Sequence, residues 1–383
     1  MEKQFRFKIG LPVLMSYIVM GFVDIVGVST GYVEKDFTIS PTLARLIPSM
    51  AFLWFFLLSI PTGIMQDRYG KRNILNLGMI ITGLGMVVPF VSYTFPVMLF
   101  AFVLLGIGNT IVQVSANPLL QDVVPEERFP SFMSLSQFIK AIVSLLGPII
   151  ATYMAIRFNN WKLVFAVYAI TSFIAVLWLG ATKIEENKAE NRARATFGSC
   201  FKLLGNGYIL MMVLGIFLVV GADVGMNSGI QDYLENHHGL TLNEASLGIS
   251  IYFTALMISR FLGAVLLNWI KPNKFLLLTI LVTFIGLFLL FTASSPLVGK
   301  AGIFLIGFGS GNLFPLIFSI TVNKMPDRSN EISGLMIMAV SGGAAVPPVM
   351  GAISGSIGVL ASFGAIAICM LYLLIISLIN LKK

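Results

Sequence analysis

The sequence contains few charged residues, few cysteines and few histidines. Charged side chains occupy 11% of its 383 positions, about half the fraction that is usual in a soluble chain. The two cysteines and two histidines imply neither a disulfide framework nor a metal site. Neither histidine lies beside an acid pair or a nucleophile, and no cofactor motif occurs. We therefore expect neither an enzyme nor a bound cofactor.

Apolar residues dominate instead: they make up 57% of the chain, and the mean hydropathy is +0.91. About twelve apolar runs have the length that a helix needs to cross a bilayer, so we predict an all-α membrane protein. The expected spans are 9–33, 42–65, 72–93, 96–121, 130–156, 161–183, 206–232, 243–270, 273–293, 298–323, 330–354 and 358–380. The first run carries Asp24 and lacks a small-residue cleavage site, so we expect a retained span rather than a signal peptide.

The chain repeats itself at a distance of about 200 residues. Gly63 opens GIMQDRYGKRN, and Gly263 opens GAVLLNWIKPNKF at the same distance from a basic turn. A duplicated half in an apolar chain is typical of secondary transporters, whose substrate site lies between the halves near the bilayer midplane. We predict two pseudo-symmetric six-helix bundles. Their expected bounds are 1–183 and 205–383, joined by a cytoplasmic linker at 184–204.

The distribution of Lys and Arg predicts the orientation. With a cytoplasmic N-terminus, 18 of these residues fall on the cytoplasmic side and 5 on the outer side. The positive-inside rule then places both termini of this multi-pass protein in the cytoplasm, and an odd number of spans would remove the bias. The same distribution accounts for the net charge of +8. The basic residues lie in short turns, so we expect no nucleic-acid partner.

Four ionisable residues fall well inside spans: Asp24, Lys140, Asp223 and Arg260. Each costs about 2.5–3.5 kcal/mol near the bilayer centre on insertion scales, and such residues usually face a cavity or pair with each other. Polar side chains at helical spacing accompany them and predict a polar, substrate-binding surface. The candidates for substrate binding are Gln113, Asn117, Gln137, Lys140, Asp223, Asn227, Gln231 and Asn312.

Each of these residues also has a purely structural interpretation. Asp24 and Lys140 are predicted to form a salt bridge that couples transport to an ion, and the alternative is an inert buried ion pair. Asp223 and Arg260 are predicted as a structural ion pair, and substrate contact is the alternative. Interhelical amides often serve only as hydrogen-bonding groups between helices. This structural role is the alternative for Gln113 and Asn117 of the fourth span.

The segment GIMQDRYGKRN (63–73) resembles the loop signature G-x-x-x-D-R-x-G-R/K-R of the major facilitator superfamily, between the second and third helices. The resemblance implies a gating role on the cytoplasmic face. Gly63 would allow close helix packing, while Asp67, Arg68 and Arg72 would supply a charged latch. The alternative is ordinary positive-inside turn chemistry, which does not explain the spacing of the glycines.

Four further segments resemble the fucose permease branch, the fucose–galactose–glucose:proton symporters: QVSANP (113–118), VGADVGMNSGIQDYLEN (220–236), FPLIFSITVNKMP (314–326) and SGLMIMAVSGGAAVPPVMG (333–351). The resemblance runs over nearly the whole chain. The chain departs from fucose-type members because Gln113 replaces an acid on the fourth span, and Lys140 replaces an amide on the fifth. The acid on the first span also lies about one turn earlier, at Asp24.

The resemblance implies proton-coupled uptake of a monosaccharide by alternating access, in a bacterial inner membrane. The expected partners are a sugar and the bilayer, and the expected state is a monomer that uses the proton gradient. Sodium coupling remains an alternative, with Asp24 as an oxygen ligand. A sugar acid is an alternative substrate because Lys140 supplies a buried cation. A lipid flippase fits less well, because the surfaces predicted to line the cavity are polar. A membrane receptor fits less well, because no linker is long enough for a signalling domain.

Overall fold

The computed structural model describes residues 7–39, 46–186 and 196–381. Within these residues the chain is helical without strands, and twelve helices are long and apolar enough to cross a membrane. The predicted twelve-span, all-α fold is therefore confirmed. The spans are α1 Lys8–Thr30, α2 Ile47–Tyr69, α3 Lys71–Val91, α4 Phe95–Val123, α5 Glu126–Phe158, α6 Leu163–Ala181, α7 Gly207–Asn236, α8 Leu247–Leu266, α9 Pro272–Thr292, α10 Pro296–Lys324, α11 Pro326–Ser356 and α12 Val359–Leu381. A short linker helix, Phe197–Leu204, precedes α7.

The described residues form two compact units. The first unit contains those of Met1–Phe129, Ser136–Lys202 and Met325–Met338. The second contains those of Pro130–Leu135, Leu203–Lys324 and Ala339–Lys383. The first half of α11 is thus packed in the first unit, and the start of α5 in the second. The bundle bounds expected from the repeat remain a prediction.

Equivalent glycines make equivalent contacts in the two units. A Cβ atom on Gly106 of α4 would lie 2.3 Å from the carbonyl oxygen of Ala51 on α2. One on Gly307 of α10 would lie 2.6 Å from the carbonyl oxygen of Tyr252 on α8. Gly106 and Gly307 are 201 positions apart in the sequence, and so are their contact residues Ala51 and Tyr252. The duplication is therefore preserved in the packing, where small residues let helix backbones approach closely.

Three of the described spans are interrupted well away from their ends. The α1 segment consists of helix Phe7–Met20, a 3₁₀ segment Gly21–Ile25 and helix Val26–Phe37. The α10 span breaks between Pro296–Ser310 and Leu313–Lys324, and α11 contains the 3₁₀ segment Ala339–Ala344. Breaks of this kind leave backbone groups that need partners inside the protein or in a water-filled cavity. They are common at the binding sites of transporters.

Candidate functional site

Asp24 lies in the interrupted part of α1, within the 3₁₀ segment Gly21–Ile25. An amide from α4 satisfies the backbone just before this segment. The Nδ2 of Asn109, which is fully buried, donates to the carbonyl oxygens of Met20 at 2.9 Å and Val19 at 3.4 Å. The Oδ1 of Asn109 accepts from the Nε2 of Gln113 at 2.9 Å. The break that carries Asp24 is therefore built by α4 as well as by α1.

The carboxylate of Asp24 accepts a hydrogen bond from the Oγ of Ser144 on α5. This hydroxyl lies 3.0 Å from the backbone carbonyl oxygen of Lys140 as well. Close contact between α1 and α5 allows the bond, because a Cβ on Gly21 would lie 2.8 Å from the Cβ of Val143. Asp24 and Lys140 therefore meet through Ser144 and the backbone.

Lys140 makes no ion pair with Asp24 within 4.0 Å, although the structure describes both side chains. The direct pair predicted between these two residues is thus not formed in this conformation. Both side chains are half-buried. Asp24 takes a neutral donor, Ser144, in place of the ammonium. Whether the two residues couple transport stays a prediction.

The amides predicted on α4 and α5 are buried. Gln113 is 6% exposed, Asn117 1% and Gln137 5%. The Oδ1 of Asn117 accepts from the hydroxyl of Tyr17 on α1 at 2.8 Å. The bond of Asn117 thus joins α4 to α1, whereas that of Gln113 lies within α4 and holds Asn109. Their predicted contact with substrate remains a prediction, and it requires another conformation or a water-filled approach.

The polar residues of α7 are more accessible. Asp223 and Gln231 are half-buried and Asn227 is exposed, and their spacing places them on one face of the helix. The Oδ1 of Asp223 accepts from the hydroxyl of Tyr252 on α8 at 2.5 Å. That hydroxyl also lies 3.3 Å from the Oγ of Ser310, the last residue before the break in α10.

The break in α10 is held by α8. The Nε of Arg260 donates to the carbonyl oxygen of Gly311 at 3.2 Å. The Nδ2 of the fully buried Asn312 donates to the carbonyl oxygen of Ser259 at 2.6 Å and to its Oγ at 2.9 Å. Arg260 thus binds the buried carbonyl of Gly311 beside Asn312, while Asp223 binds Tyr252. The predicted pairing of Arg260 with Asp223, and the substrate role of Asn312, stay predictions.

The motif at the end of α2 packs against the start of α11 within the first unit. A Cβ on Gly63 would lie 2.7 Å from the carbonyl oxygen of Asn330, so only glycine fits there. The Nδ2 of Asn330 lies 3.4 Å from the Oδ1 of Asp67. The Oγ of Ser333 donates to the carbonyl oxygen of Val114 at 2.7 Å. This arrangement is suited to a gate, which remains a predicted role.

The basic residues of the motif have separate partners. Arg68 is exposed, and its guanidinium lies 5.4 Å from the ring centre of Tyr69. The Nε of Arg72 donates to the carbonyl oxygen of Leu179, at the end of α6, at 3.1 Å. The carboxylate of Glu186 accepts from the backbone N–H groups of Lys71 at 2.7 Å and Arg72 at 3.0 Å. Glu186 thereby caps the start of α3, where an anion interacts favourably with the helix dipole.

A buried ion pair completes the motif. The Nζ of Lys71 lies 2.7 Å from the Oδ2 of Asp122 near the end of α4, and both side chains are at most 4% exposed. The sequence predicts a cytoplasmic turn at Lys71, and no sequence pattern points to the contacts that the structure shows for Asp122, Glu186, Tyr17, Asn109 and Tyr252. Asp122 ends an apolar run, as many turn residues do. The tyrosines have no sequence signal that distinguishes them from ordinary membrane aromatics.

We expect Lys71→Met and Asp122→Leu each to destabilise the protein by about 3–5 kcal/mol, because removal of one partner leaves the other charge buried. The double variant should recover most of the loss, since two apolar groups replace both charges. Thermal unfolding of the detergent-solubilised protein, followed by size-exclusion chromatography, measures the effect. Arg68→Met is the matched control because Arg68 is exposed. Single variants as stable as the control would contradict the structural role of the pair.

Comparison with known proteins identifies relatives along almost the whole chain. Residues 13–348 match the family described as the Major Facilitator Superfamily. The glucose/galactose transporter of Brucella abortus biovar 1 (strain 9-941) is 24% identical over 403 aligned positions, covering 100% of this chain and 96% of the relative. The L-fucose-proton symporter of Escherichia coli K12 is 22% identical over 361 positions, covering 85% and 82%.

The fold also matches a solved structure. The crystal structure of the Escherichia coli fucose:proton symporter superposes with a TM-score of 0.84, covering 97% of this chain and 98% of that one, at 18% sequence identity. At this identity the match establishes the fold alone. The family match extends over most of the sequence and includes the motif that Gly63 opens. The chain is a member of the Major Facilitator Superfamily, a family of membrane transporters.

Proposed function

We propose that this chain is a proton-coupled sugar symporter that takes up a monosaccharide by alternating access. The observation that carries the proposal is the position of Asp24, a carboxylate in the broken part of α1 that is held by Ser144. An acid at this depth is costly and is usually retained for function. The relatives support the sugar, since one is named a glucose/galactose transporter and another an L-fucose-proton symporter.

The proposal includes a location and an orientation. Both relatives named above come from bacteria, and we place this chain in a bacterial inner membrane. The excess of Lys and Arg in one set of turns places both termini in the cytoplasm by the positive-inside rule. The gate motif of Gly63 then lies on the cytoplasmic side, and the turn between α3 and α4 lies on the outer side.

The hydrogen bond between Ser144 and Asp24 runs in one of two directions, depending on whether Asp24 carries a proton. When Asp24 is ionised, Ser144 donates its one proton to the carboxylate. When Asp24 is protonated, the carboxylic acid donates to Ser144, whose proton turns to the carbonyl oxygen of Lys140 3.0 Å away. Protonation therefore reverses the direction of the bond and extends it to the backbone of α5. This reversal would let α5, which also carries the Lys140 ammonium, respond to the proton on Asp24.

Lys140 is the residue through which proton and substrate would compete. Its ammonium makes no ion pair with Asp24 in this conformation, which leaves Asp24 without a direct counter-charge. We propose that the ammonium donates to a sugar hydroxyl once Asp24 is protonated, and moves towards the carboxylate when Asp24 is ionised. A neutral hexose fits the relatives, whereas a sugar acid would use the Lys140 charge more fully. Sodium coupling would instead use the oxygens of Asp24, Ser144 and the Lys140 carbonyl.

Asp24→Asn should abolish uphill sugar accumulation and leave sugar exchange intact, because the amide keeps an acceptor for Ser144 and does not bind a proton. Radiolabelled sugar uptake and counterflow in the same membrane vesicles separate the two activities. Asp232→Asn, on an exposed acid near the end of α7, is the matched control. Full accumulation by Asp24→Asn would remove Asp24 from the coupling mechanism. Accumulation that follows an imposed sodium gradient would replace the proton with sodium.

Lys140→Ala should weaken sugar binding about tenfold or more, because a charge-assisted hydrogen bond contributes roughly 1.5–3 kcal/mol. It should also flatten the pH dependence of uptake, since the competition for the ammonium is lost. The apparent affinity is measured across a series of external pH values, with Lys300→Ala as the control for loss of one positive charge. Unchanged affinity and an unchanged pH profile would show that Lys140 takes no part in the cycle.

A further inference from the structure

Beyond the membrane part of α1, a second acid ties three segments of the first unit together. Asp36 lies at the end of helix Val26–Phe37. Its Oδ2 accepts from the hydroxyl of Tyr93, in the turn between α3 and α4, and from the Nε1 of Trp161 at 2.8 Å, just before α6. Both donors therefore converge on one carboxylate oxygen. No sequence pattern points to a role for any of these three residues.

The surroundings favour this arrangement. Trp161 is only 5% exposed, so its N–H group needs a partner inside the protein. The Nζ of Lys162 lies 3.6 Å from the ring centre of Tyr93 and places a positive charge over the aromatic face. Burial, and after it the bond to Asp36, raises the pKa of Tyr93. The phenol thus stays protonated and remains a donor, and bonds to an ionised acceptor are the stronger kind.

The outer half of α1 and the break before it also stack on aromatic rings, in α6 and just before it. Near the outer end, the ring of Tyr32 stacks on Trp161 with centroids 4.9 Å apart and an interplanar angle of 11°. At the break, Phe22 stacks on Tyr168 of α6 at 3.9 Å and 9°. Asp24 lies between these contacts along the chain. The outer half of α1 is thus held by Tyr32 and Asp36, and the 3₁₀ segment that carries Asp24 is held by Phe22.

We propose that Asp36 is a positioning residue for transport: by holding Tyr93 and Trp161, it fixes the outer half of α1 and thereby the segment that carries Asp24. This inference rests on the proposed function of Asp24. A helix transmits the restraint, because Val26–Phe37 is one continuous segment of 12 residues that begins two positions after Asp24. Without Asp36, the outer end of α1 loses its hydrogen bonds to Tyr93 and Trp161, and the position of Asp24 becomes less defined.

Two substitutions at Asp36 separate its hydrogen bonds from its charge. Asp36→Ala removes the acceptor and should lower sugar accumulation about fivefold or more, as expected for loss of two hydrogen bonds to a charged group. Asp36→Asn keeps an oxygen with two lone pairs, and should retain more than half of the accumulation. Tyr93→Phe and Trp161→Phe each remove one donor and should each cause part of the loss, which keeps the test valid if Asp36→Ala fails to fold. Asp232→Ala is the control.

A second measurement needs no sugar. Gly27 lies three residues after Asp24, is exposed, and has open space where a Cβ would be. Gly27→Cys, in a chain with Cys200→Ser and Cys369→Ser, can be labelled with a membrane-impermeant maleimide. Adding Asp36→Ala should change the labelling rate about fivefold or more, while adding Asp36→Asn should leave it within about twofold, on the same hydrogen-bond reasoning.

The two measurements fail in distinguishable ways. Equal labelling rates in the Gly27→Cys protein and in the same protein with Asp36→Ala or Asp36→Asn would overturn the positioning role of Asp36, whatever the chain transports. Equal losses of accumulation and labelling in Asp36→Asn and Asp36→Ala would overturn it as well, because the charge alone would then matter. If the unmodified chain accumulates no sugar, the proposed function fails. The labelling comparison still decides whether Asp36 positions α1.

Discussion

An ionised carboxylate inside a membrane needs hydrogen-bond donors, and three helices of the first unit, α1, α4 and α5, meet where Asp24 has that need. Asp24 lies where α1 changes from an α-helix to a 3₁₀ segment, so its backbone needs partners as well as its side chain. Asn109 binds the carbonyl oxygens before the break, and Ser144 binds the carboxylate. With no water in the hydrocarbon region, neither set of groups could be left without partners. The break and the acid are therefore one feature, built by α1, α4 and α5 together.

The second unit solves a related problem with different residues. One of its breaks lies in α10, where Arg260 binds the carbonyl oxygen of Gly311 and Asn312 binds Ser259. Asp223 faces Tyr252, whose hydroxyl also approaches the residue before the break. The duplicated glycines give the two units the same close helix packing, as Gly106 and Gly307 show, while the polar residues differ. Duplication therefore accounts for the scaffold, and divergence of polar side chains accounts for the separate chemistry of each half.

The twelve spans and the repeat were predictable because length, hydropathy and repeated motifs can all be read along the sequence without knowing which helices pack together. Length and hydropathy indicate the twelve spans, and the spacing of Gly63 and Gly263 indicates the repeat. The interruption of α1 was not predictable, because glycines such as Gly21 and Gly27 are frequent in membrane helices. The partners of the charged residues were also missed: periodicity assigns Asp24 and Ser144 to faces of two helices but does not show that these faces meet. Lys71 looked like a turn residue because its partner, Asp122, lies about 50 positions away.

The most direct test of proton-coupled sugar uptake is the external pH of lightly buffered, de-energised cells that contain this protein. Fucose, galactose, glucose, N-acetylglucosamine and a sugar acid are added in separate experiments. The account predicts a rise in external pH with one neutral sugar, because each sugar molecule that enters carries a proton with it. No pH change with any neutral sugar, in cells that nevertheless take up that sugar, would contradict proton coupling through Asp24.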